Sequence, residues 1–203
     1  MKKYKAYIIL IIISLLILTG CSLSPEQLED TTRPGEPVIT EPTSYVPQGV
    51  ELVNEEYNIY IDGYVDMFYI EQAIEEIKNA PLYDNSYNII LTDYYLDGTD
   101  LENNKQVLAQ AHHYIKTIYI HQFAIKGSLL HEIGHVVERT YNLSETEEFL
   151  ELYNKVAHTG EITNNDEYHR SNAREYFAES YKNYVKGILI YGKTYEYFKE
   201  LLN

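Results

Sequence analysis

Gly127-Ser128-Leu129-Leu130-His131-Glu132-Ile133-Gly134-His135-Val136-Val137-Glu138 is the stretch on which the reading of this chain turns. An α-helix turns once per about 3.6 residues, so His131 and His135 stand on one face and can aim two imidazole nitrogens at one point. Tetrahedral zinc asks for that arrangement, with Zn–N bonds of about 2.0–2.1 Å. Glu132 lies too far round the helix to join them comfortably as a ligand, and is placed instead to hold and deprotonate a water at the metal. Leu129, Leu130, Ile133, Val136 and Val137 form an apolar face beside the histidines, and Ser128 reads as the N-cap. Gly134 lowers helix propensity by roughly 1 kcal/mol against alanine, which marks a place where another element packs close. The bland alternative is a surface helix that happens to carry two histidines. Uncommon residue types in fixed register argue against it.

The start of the chain reads differently. Lys2, Lys3 and Lys5 precede an apolar run from Ala6 to Leu18, the pattern of a secretory signal, and the run is short for a membrane span. It ends in Leu18-Thr19-Gly20-Cys21, which resembles a bacterial lipobox and implies that Cys21 is lipidated and anchors the chain to the membrane. Cys21 is the only cysteine, so it forms no internal disulfide. The chain holds 16 basic and 31 acidic residues, a net charge of −15. Removing the three lysines of residues 1–21, which contain no acid, leaves 13 basic groups against 31 acidic ones, or −18. Such a surface repels nucleic acid and anionic headgroups. From residue 22 to about 48 the chain is rich in Pro, Thr, Glu and Ser, with Pro25, Pro34, Pro37, Pro42 and Pro47 and few large apolar side chains. It cannot bury enough surface to offset its ordering entropy, and reads as an extended tether. The expected organisation is a signal peptide over 1–21, a tether over 22–48 and one domain over 49–203.

Within that domain, Tyr57–Ile61 alternates as a half-buried strand, with a turn at Asp62-Gly63. Phe68, Ile70, Ala73, Ile74 and Ile77 recur at helical spacing from about Asp66 to Asn79, ahead of Pro81. Asn88–Thr92 reads as a strand, Asp97-Gly98 as a turn, 101–113 as a second helix, and Tyr114–His121 as a strand leading through a short loop into the histidine helix. Ser144-Glu145-Thr146-Glu147 reads as a capping box for a helix to about Ala157. Ser171 is expected to cap a helix to about Val185 with Gly187 as its stop, and Thr194–Leu202 forms a terminal helix. Strands early and helices late predict an α+β domain.

A catalytic zinc takes three protein ligands and one open position. The metzincin spacing would require Gly and His where Glu138 and Tyr141 stand. A thermolysin-like glutamate is expected roughly twenty residues downstream, where Lys155 stands and neither Glu151 nor Glu161 is well placed. The helix beginning near Ser171 offers better. Its segment Tyr168-His169-Arg170-Ser171-Asn172-Ala173-Arg174-Glu175-Tyr176-Phe177-Ala178-Glu179 closely resembles a motif in the catalytic domain of anthrax lethal factor, and more loosely one in the bacterial Pro-Pro endopeptidases. The resemblance covers mainly residues 127–185, and less clearly the sheet and helices from about residue 49. It implies a zincin-like fold: a small mixed β-sheet with N-terminal helices, the HExxH helix, and a C-terminal helical half. It also implies that Glu175 completes the zinc site and that Tyr168 faces the open position. Glu179 then shares a helix face with Glu175 and is placed to accept the second N–H of His131 or His135. His112, His113, His121, His158 and His169 are weaker candidates, and Glu138 is expected only to solvate its neighbour.

The function this implies is a zinc-dependent endopeptidase at the extracellular face of a bacterial membrane, monomeric, acting on protein or peptide substrates. A proline-containing target is the weakest part of that implication. The chain has no tryptophan, which excludes a substrate pocket built on tryptophan and leaves tyrosine able to stack on proline instead. Two other classes stay open: a catalytically silent surface binding or immunity-type protein on the same fold, and a zinc amidase acting on a cell-wall or other non-peptide link.

Overall fold

In the computed structural model, the described residues are 46–96, 107–157, 159, 170–189 and 192–203. The signal peptide with Cys21, nearly all of the tether, the Asp97-Gly98 turn, His158, Tyr168 and His169 lie outside them.

Among the described residues, five strands form one mixed sheet in the order β1-β2-β3-β5-β4. They are β1 (Glu51–Asn54), β2 (Ile59–Asp62), β3 (Asn88–Thr92), β4 (Ala109–His112) and β5 (Thr117–His121). The central strands β2, β3 and β5 run parallel, and β1 and β4 close the two edges antiparallel. Central parallel strands are covered on both faces, and β3 (Asn-Ile-Ile-Leu-Thr) is accordingly buried at every position. Helices α1 (Met67–Lys78), α2 (Leu130–Tyr141), α3 (Glu147–Val156), α4 (Ala173–Val185) and α5 (Gly192–Leu202) complete the α+β domain. Ile59, Ile89, Leu91, Ile118 and Ile120 share one core with Ile70, Ile77, Ile133, Val137, Phe149, Phe177, Tyr181 and Phe198.

Several expectations shift. Residues 109–112, expected in a helix over 101–113, form edge strand β4. Ala, Gln and Leu favour a helix, but pairing with β5 from Ala109–Ile120 to His112–Thr117 overrides that propensity. Before α2 there is no capped start. A 3₁₀ turn over Gln122–Ala124 and a π-helical turn over Ile125–Leu129 feed straight into it, so Ser128 caps nothing. Thr146, not Ser144, caps α3 by accepting the Phe149 N–H, while the Ser144 hydroxyl turns back to the buried Glu138 carboxylate. Asn172, not Ser171, caps α4. The last strand is shorter than expected because Lys116 adopts a left-handed φ of 46° in the turn before Thr117. Strand β1, unanticipated, pairs Glu51 with Ile61.

Candidate metal centre

Helix α2 carries His131 and His135 on the face turned toward α4. Two features of sequence bring the third group to them. Asn172 accepts the Glu175 N–H at 3.0 Å, which starts α4 so that Glu175 falls in its first turn. Gly134 lets the two helices touch: a Cβ built there would stand 2.9 Å from the Ala178 Cα and 3.0 Å from its carbonyl oxygen. The close packing that a glycine in this helix implied is therefore the α2–α4 crossing. Arg174 ties the start of α4 to Glu145 at 2.6 Å and lies 3.9 Å from Glu138 on α2.

The three groups form a nearly equilateral triangle. His131 Nε2 is 3.1 Å from His135 Nε2 and 3.3 Å from Glu175 Oε2, and His135 Nε2 is 3.5 Å from the same oxygen. Ligands at about 2.05 Å from a tetrahedral cation stand about 3.3 Å apart along each edge, so these edges fit zinc without rearrangement. Two imidazoles and one carboxylate are also a donor set that zinc accepts in catalytic sites. On the far side of His131, Nδ1 lies 3.2 Å from Glu179 Oε2, so an N–H there leaves the Nε2 lone pair facing the triangle. Glu179 is in turn held by Lys182 at 2.7 Å and Asn183 at 3.2 Å.

Charge follows the same geometry. Burial opposes a proton on His131, but Glu175 and Glu179 outweigh it and push its pKa up to about 9. Burial also works against ionisation of Glu175, and the hydrogen bonds of His131 and His135 overcome it, holding that carboxyl well below its usual range. Glu132 is buried next to the triangle. Desolvation raises its pKa against the opposing pull of His135 and His131, and it accepts a hydrogen bond from the Ala111 N–H of β4. A carboxylate lifted toward neutrality and set beside a metal position is equipped to take and return a proton.

Among the described residues, His112, His113 and His121 stay apart from the triangle. The His113 ring contacts the Tyr87 hydroxyl at 3.0 Å, and burial, seconded by Arg139, lowers its pKa to about 3. His121 stacks on Tyr95, and His112 meets the ring of Tyr119 edge-on. Glu138 is 4 % exposed and fixes Ser144 rather than solvating His135. Nothing in the spacing pointed to Ala111, because a helix was expected there. Lys182, one turn after Glu179 on the same face, was open to the reasoning that found Glu179.

Two comparisons with known proteins bear on this arrangement. The family model described as anthrax toxin lethal factor, N- and C-terminal domain, matches residues 62–189. The solved structure of the Pro-Pro endopeptidase PPEP-2 from Paenibacillus alvei superposes with a TM-score of 0.56 at 19 % identity, over 72 % of this chain and 98 % of that one. No curated protein matches the chain. The family match spans more than half of the sequence and takes in the whole triangle, and the superposition shows the same fold. The chain belongs to the anthrax toxin lethal factor family.

Proposed function

We propose that the protein is a zinc-dependent endopeptidase held at the outer face of the cell membrane through Cys21. The observation that carries the peptidase reading is the His131–His135–Glu175 triangle, with edges of 3.1, 3.3 and 3.5 Å, beside the buried Glu132, and the anchor rests on the sequence ending at Cys21. When bound, zinc supplies Lewis acidity, polarising a scissile carbonyl and lowering the pKa of a water toward neutrality. Glu132 takes the proton from the attacking water and returns it to the leaving amine. Tyr168, by the family resemblance, donates its hydroxyl to the developing oxyanion.

Strand β4 is the natural rest for an extended substrate. The His121 N–H donates to the Leu108 carbonyl at 2.8 Å. Bonded and non-bonded pairs alternate in an antiparallel ladder, so Ala109 and Ala111 turn their peptide groups away from β5. The Ala111 N–H already donates to Glu132, so the Ala109 N–H and the carbonyls of Ala109 and Ala111 are the outward groups that can pair with a peptide by strand addition. The substrate is then an unfolded segment of a protein within reach of the tether, with tyrosines rather than tryptophan available to stack on proline.

The test uses the full chain purified in detergent. We expect one zinc per chain, and chelator-sensitive cleavage of a mixed peptide library read by mass spectrometry. Cleavage that persists after the metal is stripped sinks the proposal. Loss of the protein from the membrane fraction on Cys21→Ala is expected for the anchor; unchanged partition refutes it.

A further inference from the structure

Glu179 lies on α4 one turn beyond Glu175 and is 1 % exposed. A carboxylate removed that far from water is costly unless donors replace its hydration. Oxygen Oε2 meets both Lys182 Nζ at 2.7 Å and His131 Nδ1 at 3.2 Å, and Oε1 accepts from the Asn183 amide at 3.2 Å. The short contact is therefore with an ammonium on the same helix, at i and i+3, where side chains meet without distortion. The Lys182 side chain is itself 13 % exposed, so the pair is screened little by solvent. An oxygen that accepts from an ammonium stays an acceptor toward the imidazole. The His131 ring then carries its hydrogen at Nδ1 and presents the Nε2 lone pair to His135 and Glu175.

We propose that Lys182 is a positioning residue of the metal centre. It pins the Glu179 carboxylate, the carboxylate sets the orientation and tautomer of His131, and zinc binds more tightly as a result. The inference rests on the metal reading above and extends it one residue further back. Lys186, the next lysine on the same stretch of chain, pairs with Glu76 at 3.2 Å and with the Lys126 carbonyl, so it serves a different contact. Lys182 borders a surface hollow with Lys126, Gly127, Asn183, Lys186 and Ile188. A methionine of similar length at this position therefore has room without entering the core.

The experiment is a double-mutant cycle on zinc affinity, measured on the full chain by competition with a chromophoric chelator, with far-UV circular dichroism of the metal-free proteins as a folding check. Glu179→Gln and Lys182→Met are each expected to weaken zinc by about 10- to 100-fold, and Lys182→Arg to keep most of the affinity. Lys182→Met in the Glu179→Gln background is expected to cost nothing more, because the lysine acts only through that carboxylate. Equal losses in both backgrounds, or a Lys182→Met protein that binds zinc like the wild type, overturn the proposal. Lys182→Gln supplies the same comparison if the methionine variant does not fold. A wild-type chain that takes up no zinc overturns the metal reading and this one with it.

Discussion

Gly134 and Ala178 mark a close approach of α2 and α4, the helices that carry His131, His135 and Glu175, with a Cβ at position 134 falling 2.9 Å from the Ala178 Cα. Both neighbouring atoms at that point are backbone, so no flexible side chain yields. Gly134→Ala gains roughly 1 kcal/mol of helix propensity, whereas overpacking a rigid contact costs about 1–3 kcal/mol. The variant is expected to be destabilised in urea unfolding and to bind zinc more weakly, because α4 must move and Glu175 moves with it. A variant as stable as the wild type, with unchanged zinc affinity, would show the crossing to be slack.

Glu132 reaches the site without belonging to the triangle. Glu132→Ala is expected to keep one zinc per chain by metal analysis and to lose about 10²- to 10⁴-fold in kcat/KM, the range for removing a positioned acid–base. An active, zinc-replete variant refutes its role.

The metal-free protein has a pH dependence set by the same triangle. Burial alone would lower the His131 pKa, yet Glu175 and Glu179 raise it from 6.5 to about 9. A folded-state pKa above the unfolded value means that the native state holds the proton more tightly. That stabilisation is complete below pH 6.5 and fades as pH climbs through about 9. The depressed Glu175 carboxyl works in the other direction, adding stability above its ordinary value of 4.5 that is lost on acidification. Denaturant midpoints of metal-stripped protein should therefore fall from pH 6.5 toward 9. Zinc must displace the His131 proton, so its affinity is expected to rise about tenfold per pH unit over the same interval. A flat zinc affinity between those values contradicts the assignment.

Removal of the ion should be felt in the fold. Zinc at a thousandfold excess over its Kd stabilises the native state by about 4 kcal/mol. Thermal melts with and without chelator are expected to differ by several degrees, and readdition of zinc to restore the higher Tm. Coincident melts would mean that the three ligands are held without help from a cation.

The centre was more legible in the sequence than the sheet around it. His131, Glu132 and His135 declare themselves because ligand spacing on a helix is short-range and chemically rare. Glu175 and Glu179 lie far away in sequence and were found through their local motif and one-turn spacing. What stayed hidden depends on tertiary contact. Ala109–His112 has helix-favouring residues and becomes a strand only because β5 offers it an edge. Ser128 precedes a helix but sits inside a π-helical turn already wound from Ile125. Ser144 resembles a cap and is drawn instead to Glu138, a partner its own helix does not contain.

His131 and His135 emerge from the ribosome well before Glu175 does, and Gly134 has nothing to pack on until Ala178 arrives. A partly synthesised chain thus holds only two of the three candidate donors, and a site able to grip a cation forms only once α4 has been made and has folded back on α2.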